Sequence, residues 1–85
     1  MPHPEILPET LVDARGHRCP VPTLRLRKAM EAAAPGARIV LLADDPMARI
    51  DAPHLVAQLG GEVLSIEAQG DLLTITVAVG ERPAG

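Results

Sequence analysis

The chain contains a single cysteine, Cys19, in the segment RGHRCPVPTL, and the thiol is its clearest candidate for chemistry. A thiolate attacks disulfides and persulfides, and it is the nucleophilic form of cysteine. Because no second cysteine occurs among the 85 residues, no disulfide can close within them. Any reaction of this thiol must therefore involve another molecule.

Two prolines, Pro20 and Pro22, follow the thiol and restrict the backbone around it. A residue that precedes proline is pushed away from helical geometry, so we expect both Cys19 and Val21 to be extended. A helix can then begin with Pro22, because the first helical position has no use for an N–H group. The prolines are therefore predicted to shape a stiff loop that holds the sulfur close to a helix start.

The surroundings of this loop are basic, and five of the eight Lys and Arg residues lie within fourteen positions. These residues are Arg15, Arg18, Arg25, Arg27 and Lys28. A helix N-terminus carries partial positive charge, here from the free N–H groups of Thr23 and Leu24, and nearby cations add to it. Both effects stabilise a thiolate. We therefore expect the pKa of Cys19 to lie below its ordinary value, with Arg18 as an electrostatic aid.

Two simpler interpretations of these residues remain open. A lone cysteine is often a small buried hydrophobic residue with no chemistry. His17 stands two positions before Cys19, where an extended segment would point both side chains the same way, but a surface loop histidine is the simpler interpretation. A structural zinc site needs four Cys or His ligands, so we expect no metal.

Acidic residues lie farther along the chain, in the segment ADDPMARIDAP. Asp44, Asp45 and Asp51 either cap a second helix or form part of a partner-docking surface. Met47 and Ile50 lie between them and serve either packing or recognition. The sequence does not separate these alternatives.

Hydrophobic patterning predicts six elements in the order β-α-β-α-β-β. The first helix buries one stripe of apolar side chains and stops at Pro35-Gly36. The second helix starts near Asp51 and Pro53 and ends at Gly60-Gly61. The stripe consists of Leu26, Ala29, Met30 and Ala33. The expected strands are 10–13, 38–43, 62–68 and 72–79, and Gly70 closes a hairpin between the last two.

This order predicts an α+β fold, a two-layer sandwich in which a four-stranded mixed sheet carries two helices on one face. In the last strand, Leu73, Ile75 and Val77 should face the helices, while Thr74 and Thr76 face outward. One domain is expected over residues 9–79, between an extended or disordered leader, 1–8, and a flexible tail, 80–85.

Composition excludes several classes of function. A formal net charge of −3 and the absence of aromatic residues argue against direct nucleic-acid binding. No apolar run approaches the length of a membrane span, and the first residues lack the pattern of a signal peptide. We therefore expect a cytoplasmic protein with no membrane contact.

The motifs resemble those of a known family, the TusA-like sulfur carriers or sulfurtransferases with their SirA-like and YedF-like relatives. The family signature Asp-x-x-Gly-x-x-Cys-Pro-x-Pro is matched by Asp13, Gly16, Cys19, Pro20 and Pro22. A downstream Asp-Pro…Asp-x-Pro pattern is matched by Asp45, Pro46, Asp51 and Pro53. The similarity spans about residues 10 to 79, and it is the combination of the two motifs that is specific.

The resemblance implies the same two-layer fold and a function for Cys19 as a persulfide carrier. Sulfur would come from a donor protein, a cysteine desulfurase or a rhodanese, and pass to an acceptor protein. This chemistry needs no cofactor, and we expect a monomer because the carrier is so small. The destination stays open among tRNA thiolation, molybdenum cofactor assembly, sulfur oxidation and selenium handling. Many relatives have Leu at the position of His17. Some relatives also carry a second cysteine near the position of Val56. This chain does not, so it has no resolving thiol of its own.

Two other functions compete with sulfur carriage. A regulatory or interaction module would bind its partner through the open sheet face or through residues 45–51, with Cys19 playing no part. A thiol redox sensor would need an intermolecular disulfide, since the chain has no resolving cysteine.

Overall fold

The computed structural model describes residues 9–80, and these form the predicted order of six elements. The strands are β1 (Glu9–Asp13), β2 (Arg38–Ala43), β3 (Glu62–Gln69) and β4 (Leu72–Ala78). The helices are α1 (Val21–Ala32) and α2 (Ala48–Gln58). The predicted leader and all but the first residue of the predicted tail lie outside the described residues.

The four strands make one mixed sheet in the order β1-β2-β4-β3. β1 runs parallel to β2, with Val12 opposite Leu41, and β4 pairs antiparallel with both β2 and β3. A parallel pair places the carboxyl ends of its strands at the same edge of the sheet. The loops that follow β1 and β2 therefore meet, which brings the Cys19 segment beside the first acidic residues after β2.

The core lies between one face of this sheet and the two helices. Alternate residues of β2 and β4 are buried, as expected for strands covered on one face. They are Ile39, Leu41 and Ala43 in β2, and Leu73, Ile75 and Val77 in β4. Leu26 and Met30 of α1 and Leu55 and Val56 of α2 pack into the same cluster, which confirms the α+β sandwich.

The hairpin between β3 and β4 turns at Gly70 and Asp71, because Gln69 pairs with Leu72. Gly70 has a φ of 60°, and no non-glycine residue between positions 9 and 80 has a positive φ. A positive φ at the first of two turn residues is the geometry of a type II′ hairpin and favours glycine. The predicted turn and the role of Gly70 are confirmed.

The start of α2 differs from its prediction. The helix begins at Ala48, so that Asp51 lies within its first turn and Pro53 lies inside it. The earlier start follows from Asp45, whose side chain accepts the N–H of Met47 at 2.9 Å and whose carbonyl accepts the N–H of Ala48 at 3.0 Å. Two free donors at the helix entrance are thereby satisfied upstream of the expected start signals.

Candidate functional site

The thiol lies in the loop between β1 and α1, and its residue is half-buried. Cys19 packs against the hydrophobic core. Its Sγ atom lies 3.9 Å from Oγ1 of Thr23, one helical turn farther along the chain. The Cys19–Pro20 peptide bond is cis. The sulfur is thus close to the first turn of α1, as the proline pattern predicted.

The helix begins one residue before its predicted start. Val21 is helical rather than extended, although Pro22 follows it, and Pro22 is buried at the second helical position. The N–H of Leu24 is not free, because it donates to the carbonyl of Pro20 at 2.9 Å. The sequence predicted two free N–H groups at the helix start, those of Thr23 and Leu24. The N–H of Leu24 is already paired, so fewer free N–H groups are present than predicted.

Asp44 and Asp45, which follow β2, anchor the cysteine loop. Both carboxylate oxygens of Asp44 accept the N–H of Gly16, at 3.0 and 2.9 Å. Oδ2 of Asp45 accepts the N–H of Cys19 at 3.0 Å, while its Oδ1 accepts the N–H of Met47. Carboxylate acceptors make strong hydrogen bonds to backbone N–H groups. The loop is therefore held at two points by consecutive residues of another segment.

Sequence reasoning missed this anchoring role. The sequence predicts Asp44 and Asp45, like Asp51, either as caps of the second helix or as part of a docking surface. The signal that could have revealed the role is the pairing of two parallel strands, each ending in polar residues at the same sheet edge. Asp51 lies in the first turn of α2, beside the sulfur.

Most of the basic residues near Cys19 in sequence point elsewhere. Arg15 bonds to the carboxylate of Asp13 at 2.9 and 2.7 Å. Arg25 donates to the carbonyl of Asp13 at 2.9 Å, and Arg27 lies 3.6 Å from Glu31. Arg18 remains on the loop, where its charge helps to lower the pKa of Asp45. The expected basic environment of the thiol is therefore not formed.

The expected lowering of the cysteine pKa is wrong. Burial raises the pKa of Cys19, and the carboxylates of Asp45 and Asp51 raise it further. The hydroxyl of Thr23 acts in the opposite direction but does not reverse the change. The pKa of Asp45 is itself lowered, mainly by the N–H groups of Met47 and Cys19. A carboxylate that stays ionised beside the sulfur favours the protonated thiol.

The sequence left His17 open as a partner of the thiol or as a surface loop histidine, and its exposure agrees with the second interpretation. His17 is exposed, and its backbone N–H donates to the carbonyl of Ala14 at 3.3 Å. His54 lies instead on α2, where its Nε2 is 3.3 Å from Nε2 of Gln58. In the part of the chain that the structure describes, no group of three or more His, Cys, Asp and Glu side chains is placed to hold a metal ion.

Exposed apolar side chains surround the start of both helices. Val21 and Leu24 project from α1, whereas Met47 and Ile50 project from the beginning of α2, with Ile50 64% exposed. A groove runs between the helices beside Cys19. It is lined by Pro20, Thr23, Leu24, Arg27, Asp51, His54, Leu55 and Gln58. Met47 and Ile50 are therefore surface residues rather than core residues.

This fold and this site define a class: a small α+β protein that presents one anchored cysteine at the start of its first helix. The exposed apolar residues at the starts of the two helices, Val21, Leu24, Met47 and Ile50, form an apolar rim. A family model described as sulfurtransferase TusA matches residues 10–79. The chain belongs to the TusA family, and the resemblance noted in its motifs is confirmed.

Relatives of known name agree with this assignment. A protein from Archaeoglobus fulgidus named "Putative sulfur carrier protein" is 48% identical over 60 residues, covering 71% of this chain and 78% of the relative. A protein of the same name from Thermotoga maritima is 39% identical over 59 residues, covering 69% and 75%.

A solved structure shares the fold. The crystal structure of a SirA-like protein from Desulfitobacterium hafniense superposes with a TM-score of 0.68 at 28% identity, covering 85% of this chain and 99% of that one.

None of the helices between residues 9 and 80 is long and apolar enough to cross a membrane.

Proposed function

We propose that this chain is a sulfur carrier in which Cys19 accepts a sulfane sulfur as a persulfide and passes it to a partner protein. The observation that carries the proposal is the position of the single thiol, anchored by Asp45 at the start of α1, with exposed apolar residues at the starts of both helices. Membership of the TusA family and the names of the relatives support the same function.

The uptake step needs only the thiol and a donor persulfide. The Cys19 thiolate attacks the terminal sulfur of the donor, so that a new S–S bond forms at Cys19 and the donor S–S bond breaks. The donor leaves as a thiolate, and the proton of its persulfide travels with the transferred sulfur. The transferred sulfur keeps its oxidation state, and no external oxidant or reductant is required.

Discharge is the same exchange in reverse. An acceptor nucleophile attacks the outer sulfur of the Cys19 persulfide, the S–S bond at Cys19 breaks, and the Cys19 thiolate is regenerated. Because this chain has no second cysteine, the persulfide cannot resolve as an internal disulfide. The chain therefore acts as a carrier that is loaded by one protein and emptied by another.

The apolar rim is suited to protein docking, since exposed apolar patches mark sites of protein interaction. Leu24 and Ile50 are exposed near the starts of α1 and α2 respectively. We propose that a donor or acceptor protein covers this rim, with the carboxylates of Asp51 and Asp45 contributing its negative charge. Pro20 and Pro22 shape the loop at its centre, and Arg18 and His17 lie at its exposed edge.

The compartment that suits this chemistry is the cytoplasm, where thiols stay reduced. A monomer suits the relay, because an uncovered thiol loop must enter the site of each partner in turn.

A two-step labelling experiment tests the proposal. A cysteine desulfurase supplied with ³⁵S-cysteine should transfer label to the chain, and a cytosolic protein fraction should remove that label when the repurified chain is added. Cys19→Ser should take up no label. If the wild-type chain takes up none from either a desulfurase or a rhodanese, the interaction-module alternative gains and the carrier proposal fails.

A further inference from the structure

Asp45 accepts hydrogen bonds from two different backbone N–H groups, which no other acidic side chain between positions 9 and 80 does. Its Oδ2 atom accepts the N–H of Cys19 at 3.0 Å, and its Oδ1 accepts the N–H of Met47 at 2.9 Å. The residue itself is half-buried. One carboxylate therefore ties the thiol residue directly to the entrance of α2.

This double contact specifies aspartate rather than its close analogues. Each carboxylate oxygen of Asp45 accepts one N–H. Asparagine replaces one of these oxygens by an NH₂ donor, so in the same geometry one of the two N–H groups loses its acceptor. Glutamate keeps both acceptors and the charge, but it places them one methylene farther from the backbone. Each substitution should therefore remove a different part of the arrangement.

Charged and polar groups face the sulfur from three segments. Thr23 approaches from α1, Asp45 from the loop after β2, and Asp51 from α2. Arg18 adjoins Cys19 on its own loop and interacts with Asp45. Of these groups, Asp45 alone both binds the Cys19 backbone and carries a charge beside its side chain.

We propose that Asp45 is a positioning residue for sulfur transfer: it fixes the Cys19 loop against the start of α2 and holds negative charge beside the sulfur. The proposal rests on the function proposed above for its biological meaning, although the contacts stand independently of it. Fixing the loop keeps the sulfur oriented for a partner, and the charge disfavours the thiolate in the free chain.

The first test measures the contacts without any sulfur chemistry. In Asp45→Asn, the Cys19 amide should exchange its hydrogen about tenfold faster, since its bond to a charged oxygen is either lost or replaced by a weaker bond to a neutral amide oxygen. The rate of iodoacetamide alkylation at pH 7 should rise about threefold, because removing a nearby negative charge favours the thiolate. Both rates are measured on the full chain, by NMR and by mass spectrometry.

The second variant separates the bond from the charge. Asp45→Glu should show faster Cys19 amide exchange but an alkylation rate close to that of the wild type. A matched control, Glu62→Gln, removes a carboxylate at the opposite end of the sheet, where Glu62 pairs with Ala78, and should change neither rate.

The third measurement is sulfur uptake from a desulfurase. Asp45→Asn should load about tenfold more slowly than the wild type even though its thiol alkylates faster, a combination that a loss of nucleophilicity would not produce. The NMR spectrum that gives the exchange rates also shows that the variant is folded, which excludes unfolding as the cause. If the wild-type chain itself fails to load, the sulfur-carrier function is wrong, whereas exchange and alkylation still decide the role of Asp45.

If the Cys19 amide exchanges at the wild-type rate in both Asp45→Asn and Asp45→Glu, the positioning role is overturned. Unchanged or slower alkylation of folded Asp45→Asn would overturn the role of the charge. If Asp45→Asn does not fold, the exchange rate of Asp45→Glu decides the positioning role. The charge is then tested with Asp45→Ser, which removes the charge but keeps one acceptor oxygen, and which should also be alkylated faster than the wild type.

Discussion

The carboxylate of Asp45 holds the backbone N–H of Cys19 at 3.0 Å, although the two residues lie 26 positions apart in sequence. This contact joins the loop after β1 to the loop after β2, and it places an ionised group beside the only thiol in the chain. The sulfur is consequently well positioned but biased toward its protonated form. The start of α1 alone therefore does not determine how readily the thiol forms its nucleophilic thiolate.

The hydroxyl of Thr23 should be the group that favours the thiolate from within the chain. Thr23→Val keeps the shape of the side chain but removes the hydroxyl 3.9 Å from Sγ, so the pKa of Cys19 should rise further. The measurement is the rate of iodoacetamide alkylation as a function of pH, whose midpoint should move upward. Thr23→Ser retains a hydroxyl and should stay near the wild type; an equal midpoint in Thr23→Val would show that the contact has no influence.

Two leucines of α1 should separate stability from docking. Leu26 is fully buried, and Leu26→Ala should lower the free energy of unfolding by about 2–5 kcal/mol, a large share of the stability of a small domain. Leu24 is 56% exposed, and Leu24→Ala should change stability by less than about 0.5 kcal/mol. Urea unfolding measures both changes.

The same Leu24→Ala variant tests the apolar rim. Sulfur uptake from a protein donor should slow, while alkylation by iodoacetamide should stay unchanged because a small reagent does not need the rim. Uptake at the wild-type rate would contradict a docking role for Leu24.

Asp13 should make stability depend on acid pH. Hydrogen bonds from Arg15 lower the pKa of Asp13 from 3.8 to about 2. Because the folded-state pKa is below the unfolded value, the stabilising contribution is fully present above pH 3.8 and is lost as the pH falls through about 2. Chemical unfolding at a series of pH values should show this loss in the wild type.

Asp13→Asn should remove that part of the acid dependence, with the remaining slope coming from other carboxylates such as Asp45. Arg15→Gln should act in the same direction, because it removes the hydrogen-bond donor. An acid dependence identical to that of the wild type in both variants would show that the Asp13–Arg15 pair contributes nothing to folding.

The fold was largely predictable because its signals are local. The run RIVLLA lies in β2 with the predicted bounds, and Gly70 closes the predicted hairpin. Leu26 and Met30 face the core as their helical spacing indicated. These features depend on side-chain periodicity and turn chemistry within short segments, which a sequence displays directly.

The site was predictable only in part, because its electrostatics depend on distant segments. The sequence places Arg15 near Cys19, yet Arg15 bonds to Asp13 instead. It separates Asp45 from Cys19, yet the parallel pairing of β1 and β2 brings them together. The position of the thiol at a helix start therefore emerged from local rules, whereas the direction of its pKa change required the tertiary structure.

The central claim is that Cys19 carries a sulfane sulfur, and intact-mass spectrometry after incubation with a persulfide donor tests it most directly. The wild-type chain should gain about 32 Da, the mass of one sulfur atom in a persulfide, and should lose it on reduction with dithiothreitol. Cys19→Ser should gain nothing. An unmodified wild-type mass with both a desulfurase and a rhodanese, or the same gain in Cys19→Ser, would contradict the account.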